Sequence, residues 1–506
     1  MSESSFDRQL GLHERFCVAR TNLGFPSIVA FVAQLNPSRD AGAIDELESR
    51  LSERIEKLGE LLPLLSSYVD GAKTRTPRFA RRKGWHLRAS DVLRRCREEP
   101  DLDSSHLLQR EIVECTAAFD LGRAPLWRVR ILESKQGAQV AVTLAVHHVI
   151  CDGRGSANLL QALMADELPP LDILTGGLGP AEYPPDSIKD LGMTPGFFFV
   201  VDLIWKNLVV TRFPKYIRSW LEEKGRWPTQ EPPPPVKPIE ADKRIVVLNF
   251  DQADIVAKLK AVALRHEVKT LNPLVHSACL AALCSIVGLS ESFLYVGTET
   301  AVSERIVAPD RHHTYCSGNF VGNPSWHGSL SKSIDFWDIT RAYAQYIASP
   351  QGRVDGRHAL GALAYVPDSA TFQSSDPRVP TEFEAFFLER MQSDRPYRES
   401  MALSNIGQIA LPSSVRDVAW AQNQSPMGSP FYIDACGLAH VDGATKVNGN
   451  AALSLSVGYR QGSVGGGREE AFVSALRRAI VLIADDMEEK QTFGNIVHAL
   501  QASSTG

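Results

Sequence analysis

The chain has 506 residues, 44% of them hydrophobic and 22% charged, and a formal net charge of −5. That length accommodates two or three domains with sizeable cores. The acidic balance argues against a nucleic-acid binder, which carries a basic excess.

The eight cysteines, Cys17, Cys96, Cys115, Cys151, Cys279, Cys284, Cys316 and Cys436, include no Cys-x-x-Cys pair. Neither a disulfide framework nor a zinc site is expected, and the composition fits a reducing, cytoplasmic compartment. The polar start, Met1 to Arg8, lacks the apolar core of a signal peptide, and no charge-free stretch is long enough to span a bilayer.

Taken in chain order, Leu12 to Phe16 opens a short amphipathic segment and Phe25 to Leu35 reads as a strand. Ile44, Leu47, Leu51, Ile55, Leu58 and Leu62 recur at helical spacing. Arg75 to Arg88 is basic, either a phosphate contact for a CoA tail or a solvated hairpin. Trp127 to Leu132 and Gln139 to His148 read as strands around a turn at Lys135 to Gly137.

Proline and glycine crowd Leu171–Pro185 and Pro228–Pro238, as expected of a crossover between two halves. Within it, Phe197–Val210 is apolar and aromatic with basic flanks. It is suited to lying on a membrane surface, packing on the core or lining an acyl pocket. The second half alternates strands (Arg244–Phe250, Phe293–Thr298, Ala451–Tyr459) with helices (Ala253–His266, Thr270–Leu283, Phe336–Ile347, Glu469–Met487). The strand–helix–strand order on both sides of the crossover predicts two α/β lobes with mixed sheets.

The chemistry concentrates in Ala141-Val-Thr-Leu-Ala-Val-His147-His148-Val-Ile-Cys-Asp152-Gly153. A buried β-branched run ends on two histidines, an Asp-Gly turn follows, and Ser156 can cap the next helix. A base-capable imidazole thus stands at a strand mouth with a carboxylate one turn away. Adjacent strand residues face opposite ways, so His147 and His148 chelate one ion poorly and no metal is expected. His312 and His313 read as surface, and Cys151 reads as buried filler rather than a nucleophile. No nucleophile elbow, phosphate loop or dinucleotide fingerprint occurs in the sequence.

The pattern His-His-x-x-x-Asp-Gly resembles the signature of the CoA-dependent acyltransferase superfamily, which includes chloramphenicol acetyltransferase, peptide-synthetase condensation domains, plant BAHD enzymes and fungal alcohol acetyltransferases. Ala124–Leu132 and Lys258–Leu283, with Thr270 and Asn272, resemble flanking family segments. Leu403-Ser404-Asn405-Ile-Gly407 and the opening Arg8–Arg15 resemble the fungal alcohol acetyltransferases. The plant Asp-Phe-Gly-Trp-Gly signature is absent, with Tyr432–Gly437 a distant echo, and no fused carrier or adenylation segment is seen.

The resemblance implies two chloramphenicol-acetyltransferase-like lobes, 1–185 and 244–506, joined by a crossover at 186–243, with the active-site tunnel between them. It implies an acyl transfer, acetyl in the first instance, from acetyl-CoA or another acyl-CoA co-substrate to a hydroxyl of a small hydrophobic metabolite, without an acyl-enzyme or a resident cofactor. His148 is the implied base, and Asp152 is the second catalytic residue that the motif implies, shaping the turn. His147, Gly153 and Arg305 give structural support, Arg305 by pairing with Asp152. Ser404 and Asn405 are candidates for the oxyanion or the substrate. A monomer is expected, without a nucleic-acid partner, with 197–210 the segment suited to peripheral membrane contact. The competing expectation keeps the fold but uses an amine acceptor, a carrier-bound substrate or a cyclisation without acyl transfer.

Overall fold

The computed structural model describes residues 8–37, 41–135, 139–205, 209–214, 217, 225–250, 254–289, 293–305, 316–368, 376, 378–442, 445–446, 452–485 and 491–502. The expected turn at Lys135 to Gly137, the His312-His313 pair and the basic residues Lys215 and Arg218 fall wholly or partly outside them.

The chain opens with helix α1 (Leu12–Asn22) and strand β1 (Ile28–Leu35), which starts past Pro26 rather than at Phe25. Helix α2 (Ala41–Leu61) carries the predicted apolar stripe, with Leu47, Leu51, Ile55 and Leu58 buried. Strand β2 (Leu93–Glu99), helix α3 (Ser104–Ala118), strands β3 (Trp127–Ser134) and β4 (Val140–His147) and helix α4 (Gly153–Met164) complete the first half. All eight residues of β4 are buried, which is why its sequence reads as a continuous apolar run instead of an alternation.

The second half contributes β5 (Lys243–Phe250), β6 (Leu294–Ser303), β7 (Met401–Pro412), β8 (Val415–Gln422), β9 (Phe431–Asp442) and β10 (Ala452–Arg460). It packs them under helices that include Ile255–Arg265, Leu271–Val287, Phe336–Ala348 and Arg468–Ala484.

Two mixed sheets form the lobes. The second runs β6-β7-β9-β10-β5, with β7 parallel to both neighbours and β10 antiparallel to β9 and β5. The first runs β8-β1-β4-β3-β2. Its outer strand β8 comes from the far half of the chain and pairs antiparallel with β1, Trp420 opposite Phe31. The two-residue turn Ser413-Ser414 between β7 and β8 thus hands the chain from one sheet to the other.

The exchange is sealed by packing. Ala419 and Ala421 of β8 and Ile245 of β5 share a buried cluster with Ile28, Ala30, Val32, Leu107, Leu108 and Ile112. Amides of β5 at Ile245 and Val247 donate to Gln109 and Ser105 of α3, so that helix covers an otherwise open sheet edge. On its other face Trp420 lies parallel to the Phe31 ring at 5.8 Å and donates its indole N–H to the Ala435 carbonyl.

Three local expectations change. Asp152, not Ser156, caps α4, because a carboxylate three residues before the Gly155 amide accepts from it at 2.9 Å. Leu403–Gly407 is not a short segment ending in a turn; it lies inside the twelve-residue β7, where Gly407 takes φ +71° at a bulge. In the crossover, Phe197–Ile204 is helical. Phe199 meets His358 edge-on, whereas Phe197 and Phe198 are 76% and 85% exposed. One face therefore packs on the protein and the aromatic start of the helix does not.

Trp420 is the side chain most exposed to the consequences of the strand exchange. Trp420→Ala is expected to cost about 3–5 kcal/mol, the usual range for emptying a buried aromatic site. Urea unfolding monitored by circular dichroism measures it, and a cost below about 1 kcal/mol would contradict the packing role given to the exchanged strand.

Candidate active site

A cavity of about 230 Å³ opens between the lobes. Its walls come from α1 (His13, Cys17, Arg20), the motif (His148, Asp152, Gly153), β6 (Glu299), β7 (Ser404, Asn405), β8 (Trp420, Gln422) and β9 (Tyr432). Strands of both sheets, helix α1 and the segment after β4 position these side chains.

The two motif histidines have different surroundings. His147, the last residue of β4, is fully buried. Its Nδ1 accepts from the Val149 amide, which leaves the proton on Nε2 to be donated to the Thr21 hydroxyl at 2.9 Å. Thr21 in turn donates to the Cys17 carbonyl. His147 therefore ties the strand end to α1. Burial holds it neutral, down at about 3.

His148 is partly accessible and faces the cavity. Its Nδ1 lies 2.9 Å from Oδ1 of Asn319. The orientation of that amide is determined, because its Nδ2 donates to the carbonyls of His148 and Val149 at 2.7 and 3.2 Å. Oδ1 must then accept, so Nδ1 of His148 carries the proton and Nε2 keeps its lone pair. Burial holds His148 below the ordinary imidazole range, with the nearby Asp152 carboxylate pulling the other way. The ring is therefore a neutral acceptor at neutral pH.

Asp152 is fully buried and does not hydrogen-bond to His148 among the described contacts. One oxygen accepts from the Gly155 amide; the other accepts from the Phe320 amide at 2.8 Å and from the Arg305 guanidinium. Arg305 also donates to the Gly318 carbonyl and lies over the Phe320 ring. The pair joins the turn after β4 to the segment after β6, and neither side chain exceeds 1% exposure. The guanidinium and the two amides keep Asp152 ionised, below the usual carboxylate range, against the penalty of burial. Gly155 belongs to the same arrangement, since a β-carbon there would collide with the Arg305 guanidinium and the Cys151 sulfur. At Gly153 a β-carbon would stand 3.1 Å from the Trp420 ring, so close approach, not an unusual φ, is what favours glycine.

On the opposite wall, Ser404 accepts a hydrogen bond from Gln422, which is held by Asp434. A hydroxyl that accepts there keeps its own hydrogen for a partner in the cavity. Asn405 donates to Asn272 and accepts from the Gly407 amide. Asp434 lies on β9 within the Tyr432–Gly437 stretch, and burial raises it to about 7. Burial, reinforced by the Glu399 carboxylate, also raises Glu299 to about 7.

The remaining candidates lie elsewhere. Cys151 is sealed in the core with its thiol pushed up by burial, its sulfur 3.5 Å from the Cys316 carbonyl. Arg75 and Arg78 of the basic stretch pair with Asp368 and Asp70, outside the cavity walls. His13, Cys17, Arg20, Glu299, Asn319 and Trp420 were not singled out from the sequence. For His13 and Cys17 a signal existed, since residues four apart share one helix face. For Asn319 there was none, because it sits in a turn-rich stretch 171 positions from its partner.

The comparisons agree with this architecture. A family model described as the wax ester synthase/diacylglycerol acyltransferase catalytic domain matches residues 32–172, which include the histidine motif. A Fusarium pseudograminearum protein named "Probable alcohol acetyltransferase FCK4" is 23% identical over 364 residues, 66% of this chain and 67% of that protein. Among solved structures, the trichothecene 15-O-acetyltransferase of Fusarium sporotrichioides aligns with a TM-score of 0.62 at 13% identity, covering 96% of this chain and 97% of the other. The first condensation domain of the CDA synthetase aligns at 0.56 and 13%, covering 97% and 99%. Motif, family model and two-lobed fold fit one superfamily, the CoA-dependent acyltransferases.

The Asp152–Arg305 pair generates a direct test. Asp152→Ala or Arg305→Ala alone is expected to cost about 3–5 kcal/mol, because each strands a buried charge, and the double variant is expected to cost less than the sum. Because Asp152 is held below its ordinary value, its contribution is present above that value and is lost as the pH falls through the folded value. A denaturant double-mutant cycle at neutral and acid pH measures both effects, and strict additivity would refute the coupling.

Proposed function

We propose, with the chain taken as a CoA-dependent acyltransferase, that it moves an acyl group, acetyl in the first instance, from a CoA thioester to a hydroxyl of a small, largely apolar metabolite. His148 serves as the general base. The observation that carries this reading is the fixed tautomer of His148: a neutral imidazole whose proton is pinned on Nδ1 by Asn319 and whose free Nε2 belongs to an open cavity between the lobes.

An alcohol is too weak a nucleophile to attack a thioester unaided. Nε2 takes the hydroxyl proton as the oxygen adds to the thioester carbonyl, and the imidazolium returns it to the departing thiolate. No acyl-enzyme is needed, since His148 meets the acceptor and not the acyl carbon. Ser404, whose hydrogen is free, is the candidate donor to the oxyanion formed in that addition. Holding donor and acceptor in one cavity supplies the larger entropic share of the rate. Asp152 acts at a distance, by shaping the turn that presents His148 and by bringing Asn319 to it.

The test is purified protein with an acetyl-CoA and longer acyl-CoA panel against a panel of apolar alcohols, with products identified by mass spectrometry. His148→Ala is expected to lose about two to four decades in turnover with an unchanged circular dichroism spectrum. Undiminished turnover in that variant would reject the base. Transfer from carrier-bound thioesters alone, or to amines alone, would replace the CoA-and-alcohol reading with the condensation type.

Two further outcomes follow from the tautomer. Asn319→Ala frees the ring to flip and is expected to lower kcat by at least about tenfold with little change in KM, the pattern of an interaction that matters in the transition state. Because His148 is held below the ordinary imidazole value, the rate is expected to stay flat from neutral into mildly acidic pH. It should fall only below 6.5. An acid limb centred at or above that value would contradict the environment described for the ring.

A further inference from the structure

Beside the base stands a group of side chains that acyl transfer does not use. His13 and Cys17 lie four residues apart on α1, so they project from one face of the helix, and both reach the cavity wall where His148 emerges. One potential ligand atom from each of His13, Cys17 and His148 lies within 4.8 Å of the other two. The rings of His13 and His148 meet edge to face with centroids 5.6 Å apart. Nδ1 of His13 is buried and has no hydrogen-bond partner among the described residues. His148 donates its Nδ1 proton to an amide oxygen and keeps Nε2 bare, the arrangement in which a histidine ligates through one nitrogen while the other is steadied by a neighbour.

We propose that His13, Cys17 and His148 form a site for a soft divalent cation of the zinc type, and that its occupancy switches transfer off. Two imidazoles and a thiolate are donors such ions favour, and ligands about 2.0–2.3 Å from a tetrahedral zinc stand roughly 3.3–3.8 Å apart. The present spacing therefore closes to a binding geometry by side-chain movement of about an ångström. As the sulfur–metal bond forms, the Cys17 thiol proton leaves to solvent, and nothing is oxidised or reduced. The fourth position faces the cavity and is filled by water. The ion inhibits because Nε2 of His148 holds one lone pair: bound to the metal, it cannot accept the acceptor's proton. The site rests on the same orientation of His148 as the proposed base, but its occupancy can be read without any substrate.

The experiment titrates the full chain with Co²⁺ under thiol-reducing conditions and follows the sulfur-to-cobalt charge-transfer band, with Zn²⁺ as competitor. One Co²⁺ per chain is expected, displaced by Zn²⁺. The band should be absent in Cys17→Ser and in the second variant Cys17→Ala, and unchanged in the control Cys96→Ser. His13→Asn is expected to weaken binding by at least about tenfold, no less than loss of a supporting contact costs a metal site. Zn²⁺ is expected to abolish transfer by the wild type and chelator to restore it, while any transfer retained by Cys17→Ala should tolerate at least about tenfold more Zn²⁺. No sulfur–cobalt band in the wild type, or a band that survives both Cys17 variants, overturns the site. Such a failure leaves His148 as base, whereas an active His148→Ala variant, with cobalt bound as expected by the wild type, removes the base and leaves the metal site.

Discussion

The buried contact between Asp152 and Arg305 is the constraint from which the rest of the site follows. Two charges are taken out of water between the lobes, which costs several kcal/mol per ion unless hydrogen bonds satisfy what remains. Here they do. The carboxylate also accepts from the Gly155 and Phe320 amides, and the guanidinium also donates to the Gly318 carbonyl. The turn after β4 and the 316–320 segment are thereby locked together, with the amide of Gly318 donating to Ile150 and that of Asp152 to Gly318. Asn319 is the next residue, so its arrival at His148 is a consequence of the lock.

That chain of contacts separates two roles that the motif places side by side. His147 and Asp152 are consumed by structure: the first fastens α1 to the end of β4, the second fastens one lobe to the other. His148 is left with one nitrogen engaged and one free. The proposed base needs no carboxylate of its own, because an amide whose direction is determined by two backbone carbonyls orients the ring. The same freedom of Nε2 makes the ring available to a cation once His13 and Cys17 stand beside it. The proposed proton acceptor is thus also the proposed ligand of a soft metal.

The exchanged strand explains why the cavity exists at all. β8 leaves the second half of the chain to complete the first sheet, and Trp420 on it reaches the cavity wall beside Gly153. The lobes do not merely touch; they share a strand, a buried apolar cluster and an ion pair. The walls of the space left between them therefore belong to elements that are tied together at several points.

Much of this was legible in the residues. The apolar run of β4 and the stripe of α2 are local patterns, governed by periodicity and backbone preference over a few neighbours; the expected Asp152-Gly153 turn is instead the capped start of α4, and the turn lies at 148–150. The fold class and the superfamily resemblance were carried by such segments. The partner of Asp152 was also named, though only through the resemblance. What no local pattern contains is a contact between distant segments. The strand exchange places Trp420 opposite Phe31, Asn319 meets His148 across 171 positions, and His13 and Cys17 reach His148 from the first helix. The sequence by itself determined that a pair of imidazoles stands at the strand mouth, because a strand end is specified by the residues within it; the choice of His148 came only through the resemblance. Only the tertiary structure decided which nitrogen of that imidazole is free and what faces it, because those depend on hydrogen bonds and packing between elements that chain connectivity leaves far apart.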